Sequence, residues 1–159
     1  MEAPGNYKDK AKDIIGKNMY LVLATSGKDG KPWACPVFFA HDQDYNFYFM
    51  SATDSLHVKN INENDNVGIV IFDSNVPVGN SDEVQAAGHA SVVEKDDIKR
   101  VIGIYSKKLY PKSPMPPTER YRPEDYTGAS EFRFYKIKTE KVFTAGPDRR
   151  VEVDLKPGK

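Results

Sequence analysis

Hydrophobic and polar positions follow two periods along the chain, and the points where one gives way to the other divide it into elements. Residues 7–18 place Tyr7, Ala11, Ile14 and Ile15 on one helical face with Lys and Asp opposite, which predicts an amphipathic first helix. The apolar run MYLVLAT (19–25) suits a strand covered on both faces, SGKDGK supplies a Gly-rich hairpin turn, and KPWACPVFFAH (31–41) reads as the partner strand. Pro32 and Pro36 cannot donate to a ladder, so this strand is expected at a sheet edge or broken near Pro36. After the acidic turn Asp42, Gln43, Asp44, the stretch YNFYFM (45–50) alternates. Phe47 and Phe49 share one face, and Asn46, Tyr48 and Met50 take the other.

Further strands are expected in NVGIVIFD (66–73) and EVQAAGHASVVE (83–94), where the small residues Ala86, Ala87 and Gly88 permit close approach of a neighbour. The short spacing of these strands and their turns points to a small antiparallel barrel. Helical periodicity returns from Asp96 to Tyr110, with Ile98, Val101, Ile102, Tyr105 and Leu109 on one face. PKSPMPPTERYRPEDYTGAS (111–130) is Pro-rich and expected to lack regular structure, a length that suits a loop covering a site or meeting a partner chain. EFRFYKIK (131–138) and EKVFTAG (140–146) read as two late strands, and the charged tail 147–159 as frayed. One domain over 1–146 accounts for the chain, and no internal repeat is visible.

Composition narrows the classes. At 159 residues, 39% hydrophobic and 11% aromatic, the chain can bury a real core. Lys plus Arg and Asp plus Glu both total 23, so the net charge is zero, which argues against a dedicated duplex-DNA binder. The single cysteine, Cys35, excludes an intrachain disulfide and suits a reducing compartment. The polar start MEAPGNYKDKAKD is not a secretory leader and no apolar window reaches the length of a membrane span, so a cytoplasmic protein is expected.

The chemistry-bearing stretch is Ser51 to Lys59, where Ser51, Thr53, Ser55, His57 and Lys59 lead from a strand into a helix expected around 54–64. Hydroxyls at a helix start suit a phosphate, because the free first-turn N–H groups and the positive dipole end both favour an anion. The plainer reading is that Thr53 or Asp54 caps the helix, and Asp54 would repel a phosphate unless it points away. An interruption at Pro36 would free backbone groups to meet the polar edge of a planar ligand. His41, His57 and His89 sit on separate elements without ligand spacing, so no metal site is expected, and Cys35 reads as an inert buried thiol. No G-x-S-x-G elbow occurs and no general acid or base stands out, so no catalytic residue is named. Aromatic strands with nearby lysines leave open an oligonucleotide-binding barrel, against which the neutral charge and apolar strands speak.

The string LATSGKDGKPWACPVFFAHDQDYNFYFMSATDSLHVKNINENDNVGIVIFD resembles the opening half of the pyridoxamine 5′-phosphate oxidase-like proteins, the FMN-binding split barrels. The shared pattern is a strand ending in Ala-Thr, a GKP turn, a P-V pair, a hydroxyl residue closing the third strand, and Ser-x-His/Lys before an Asn-rich helix. GHASVVE resembles the family's fifth strand, and the similarity is strongest over residues 19–94. The resemblance implies a mainly β split antiparallel barrel with flanking helices, binding FMN as a homodimer with the cofactor at the interface. It implies that Cys35, Pro36 and Val37 line the flavin ring through backbone, Met50 and Ser51 meet the ribityl chain, and Ser55, His57 and Lys59 hold the phosphate. Gln85 and the late strands around Phe132 and Tyr135 would belong to the partner's side. Cys35, Ala40, Leu56 and His57 stand where the vitamin-converting oxidase carries basic residues, and its C-terminal basic motif is not found in YKIKTEKVFTAGPDRR. The implied function is therefore a flavin-dependent oxidoreductase with a small-molecule substrate other than pyridoxamine phosphate, bound under the loop 111–130, reduced nicotinamide being one candidate. The alternatives are a non-enzymatic binder of flavin, deazaflavin or haem, and the oligonucleotide-binding barrel.

Overall fold

The structure is a computed structural model that describes residues 4–80, 82–112, 121–147 and 149–157. Helix α1 (Pro4–Lys17) buries Tyr7, Ala11, Ile14 and Ile15, the stripe its periodicity marks. Strands β1 (Tyr20–Ser26) and β2 (Pro32–Phe38) form a hairpin whose turn uses Gly30 at φ +73°, a conformation that costs a glycine little. The two-residue β3 (Ala40–His41) and β4 (Phe47–Ala52) follow, then α2 (Leu56–Glu63), β5 (Asn66–Phe72), β6 (Glu83–Val92), α3 (Ile98–Leu109), β7 (Phe132–Ala145) and β8 (Arg150–Glu152). The strands form one antiparallel sheet in the order β2-β1-β5-β6-β7-β4-β3, with β8 added to β7. It curls into a split barrel. No helix among the described residues is long and apolar enough to cross a membrane.

Two apolar cores lie on opposite faces of β4. Phe47 and Phe49 join Leu21, Leu23, Val58, Ile61, Tyr135 and Ile137 in the main core. Tyr48 faces the other way, with Phe134, Val101 and Tyr105, in a second core covered by α3. A strand buried on both faces accounts for the near-continuous aromatic run in FYF.

Several expectations are corrected. KPWACPVFFAH is two strands rather than one, while the edge position expected from its prolines is observed: β2 pairs only with β1 and runs unbroken through Pro36, where a missing N–H can face away from the ladder. EFRFYKIK and EKVFTAG are one long strand, β7. Thr139, the one residue between them, is no turn former, and the irregularity is taken up as a register shift opposite Ala87 and Gly88 on β6. The tail is not frayed at its start: β8 pairs with β7, and Leu155 is buried in the main core. In the Pro-rich loop, 113–120 fall outside the described residues, while Tyr121 and Tyr126 pack on Tyr105 and Phe134 over the second core.

At the register shift, a Cβ on Gly88 would stand 2.3 Å from the Lys138 carbonyl oxygen and 2.9 Å from Thr139 Cα, both backbone atoms. Gly88→Ala is expected to destabilise the barrel by about 1–3 kcal/mol, an overpacking cost, read as a lowered urea midpoint. Wild-type stability would show that the two strands separate there freely.

Candidate functional site

The alternation of β4 that sends Phe49 into the main core also brings Ser51 to that side, and the strand stops one residue later. The chain turns at Thr53 and Asp54, pinned by Thr53 N–H donating to the Glu131 carbonyl (2.8 Å) and Ser55 N–H to the Ala52 carbonyl (3.2 Å). α2 then begins with Ser55 as its N-cap. Ser55 does not cap with its side chain, because its hydroxyl donates to the Ala52 carbonyl at 2.8 Å. The expected cap at Thr53 or Asp54 is not made either. Asp54 is exposed and outside the helix, whose first turn carries no acidic residue. The opening turn of α2 therefore keeps its N–H donors free for an anion.

Hydroxyls and imidazole converge there. Ser51 Oγ lies 2.6 Å from His57 Nε2, and Ser55 Oγ lies 3.3 Å from each of them. Burial lowers the His57 pKa below its ordinary value, so near neutrality the ring is uncharged and Ser51 donates to it.

The sequence reading missed Arg133. It stands directly opposite Ser51 in the β4–β7 register, and opposed residues project from the same face of a sheet. The next pair on that face, Phe49 and Tyr135, stacks at 5.3 Å, and the Arg133 charge partly offsets the rise that burial gives the Tyr135 phenol. Arg133 Nε is buried with no hydrogen-bond partner among the described residues. Its signal was in EFRFYKIK, whose alternation puts an arginine on the apolar face with Tyr135 and Ile137. A guanidinium, an imidazole, two hydroxyls and a helix N-terminus at one corner suit a phosphate, and the orphaned Nε is the observation that fits it.

The other expected site residues lie elsewhere. Lys59 is exposed, and two helical positions from His57 it lies roughly 200° around α2 from that ring. The Met50 side chain packs against the second core, so only its backbone adjoins Ser51. Cys35 and Val37 turn inward against the main core, burial raises the Cys35 thiol pKa, and Pro36 is exposed. The free edge of β2 leaves backbone groups open, as the flavin-ring expectation requires. Gln85 pairs with Phe143, ten residues along β7 from Arg133, which puts it roughly 30 Å along the strand from the anion corner.

Across β2, β1, β5 and β6 the middle of the sheet's outer face carries uncharged residues, most of them small. Cross-strand register sets Pro36, Val22, Val70 and Gln85 in one row and Ala34, Ala24, Gly68 and Ala87 in the next. A cavity of about 470 Å³ opens beside Ala24, Gly68 and Ala87.

A family model described as pyridoxamine 5′-phosphate oxidase matches residues 7–145. No curated protein matches the chain. Among solved structures, a heme binding protein from Mycobacterium smegmatis aligns with a TM-score of 0.72 at 16% identity, covering 98% of this chain and 60% of its own. The protein Atu2129 of Agrobacterium tumefaciens, of unknown function, gives 0.67 at 18% identity, covering 94% of this chain and 60% of its own. HutZ, the heme storage protein of Vibrio cholerae, gives 0.66 at 17%, covering 83% and 89%. The chain thus spans less than two thirds of the length of the first two, and likeness at this identity establishes the fold alone.

An anion at this corner raises the pKa of His57, so binding takes up a proton. Sulfate, doubly charged throughout, is expected to bind about tenfold more weakly at about pH 8 than at about pH 6, as protonated imidazole is lost. His57→Gln flattens that dependence in calorimetry, and Arg133→Met weakens binding by about 1.5–3 kcal/mol at every pH. A pH-independent wild-type affinity would remove His57 from the seat.

Proposed function

The chain belongs to the pyridoxamine 5′-phosphate oxidase family, and from that membership we propose that it is a homodimeric FMN-binding protein that serves a flavin-dependent oxidation or reduction of a small molecule. The observation that carries the reading is the buried Arg133 Nε, without a hydrogen-bond partner among the described residues, opposite the Ser51–His57 pair. In this reading Arg133, Ser51, Ser55, His57 and the first turn of α2 grip the cofactor phosphate. The free edge of β2 at Cys35, Pro36 and Val37 offers backbone groups to the ring. Lys59, exposed on the far side of α2, contributes charge only at a distance. Bound flavin would supply electron-pair transfer, and the protein supplies orientation, water exclusion and electrostatics.

The uncharged outer face built on Val22, Ala24, Ala34, Gly68, Val70 and Ala87 supports the dimer, since a flat patch of small residues lets a second sheet approach closely. Pairing through that face brings Gln85 of one chain toward the cofactor of the other. A substrate other than pyridoxamine phosphate fits the substitution of uncharged residues at Cys35, Ala40 and Leu56.

A second reading, haem binding, is favoured by the fold neighbours named above. It needs an axial side-chain ligand. His57 Nε2 is bonded to Ser51, and His89 sits between Asp65 and Glu140, each at 3.2 Å, so taking iron would break those contacts.

Protein reconstituted with FMN is expected to sediment as a dimer and to bleach with reduced nicotinamide under anaerobic conditions. Ala24→Glu, a charge placed between Ala34 and Gly68, should give a monomer that loses most of its flavin absorbance. A haem Soret band with no flavin uptake would transfer the site to the second reading, and a flavin that no reductant bleaches would leave a binder without turnover.

A further inference from the structure

His89 stands on β6 at the border of the patch of small residues, on the outer face because its neighbour Ala90 lies in the main core. Its ring sits between carboxylates from both adjoining strands. Nε2 is 3.2 Å from Glu140 Oε1 on β7, and Nδ1 is 3.2 Å from Asp65 Oδ2, just before β5. The two acids face opposite ring nitrogens, so the trio is arranged to share a proton rather than to ligate one ion.

The fold fixes both acids. β6 pairs Ala87 with Lys141 but Gly88 with Thr139, so Glu140 is the extra residue of a bulge, without a partner on β6 and turned toward His89. Asp65 is held beside β6 by the Ala90 N–H, which donates to its carbonyl at 2.9 Å. Of the other charged groups on these strands, Lys138 opposite His89 and Lys141 opposite Ala87 are exposed, and α1 and α2 pack behind the sheet in the main core. The two acids, Asp65 foremost, raise the His89 pKa above its ordinary value. The ring thus keeps its proton to a higher pH than a free histidine does.

In a lone chain this changes little, because all three side chains keep much of their surface in water, where ion pairs contribute weakly. Glu140, however, also lines the cavity beside Ala24, Gly68 and Ala87, on the face assigned to pairing. A second sheet over that cavity takes water from the carboxylate. Covering it without a counter-charge costs far more than covering it beside an imidazolium.

We propose, on the strength of the homodimer reading, that His89, Asp65 and Glu140 form a proton gate on the pairing face: a second copy of this chain docks when His89 is protonated and is released when it is neutral. Protonated, the trio carries a single net negative charge; neutral, it leaves two bare carboxylates on each chain, and a two-fold axis doubles that at the seam. Docking favours the protonated ring and raises its pKa further. The dimer is therefore tightest below the ordinary histidine range and weakens as pH rises through the raised value.

Sedimentation equilibrium of the full chain from about pH 6 to about pH 9 reads the dimer Kd, with saturating FMN to keep the anion corner filled. The Kd is expected to rise at least about tenfold, roughly threefold from each of the two rings. His89→Gln should pair weakly at both ends of the range. Glu140→Gln, which removes the charge and keeps the shape, should stay dimeric at about pH 9, a gain that a merely structural role for the cluster would not produce. A wild-type Kd that does not move with pH, or a Glu140→Gln dimer no tighter than wild type at about pH 9, would overturn the gate and leave the pairing face standing. A chain monomeric at every pH would overturn both.

Discussion

A guanidinium nitrogen shut away from water without an acceptor costs about 1–3 kcal/mol or more, and Arg133 carries that cost at the end of the strand that closes the barrel. No acceptor among the described residues offsets it. Tyr135 and Phe49 stack beside it, and Ser51 opposite is occupied with His57. A protein of marginal stability tolerates such a group where a ligand supplies the missing acceptor. The rest of the corner agrees, since the Ser55 hydroxyl is turned back to Ala52 and the opening turn of α2 has no acid in it.

β4 makes the arrangement possible by being buried twice. Its odd positions hold the main core and end at the anion corner; its even positions hold the second core beneath α3. The same strand thus separates two polar environments. One gathers donors at the start of α2, across from Arg133. The other buries the Lys108 amine against the Phe39 ring, and burial lowers its pKa.

The barrel was legible because its elements are written in local patterns. Tyr7, Ala11, Ile14 and Ile15 give α1, the prolines give an edge, and alternation through YNFYFM gives the two faces of β4. What escaped was set by partners distant in sequence. Arg133 acquires its meaning only when β7 pairs with β4, and Lys108 only when α3 folds over Phe39. EFRFYKIK and EKVFTAG read as two strands, yet cross-strand pairing with β6 carries one strand through both. The tail looked frayed by charge, but Leu155 supplied an anchor that composition hid.

The most direct test of the central claim compares two ligands that differ by one phosphate. If the corner at Ser51, His57 and Arg133 grips that group, FMN binds the full chain at least about a hundredfold more tightly than riboflavin in equilibrium dialysis, the equivalent of two charge-assisted hydrogen bonds. Equal affinity for FMN and riboflavin, or uptake of neither, would contradict the account.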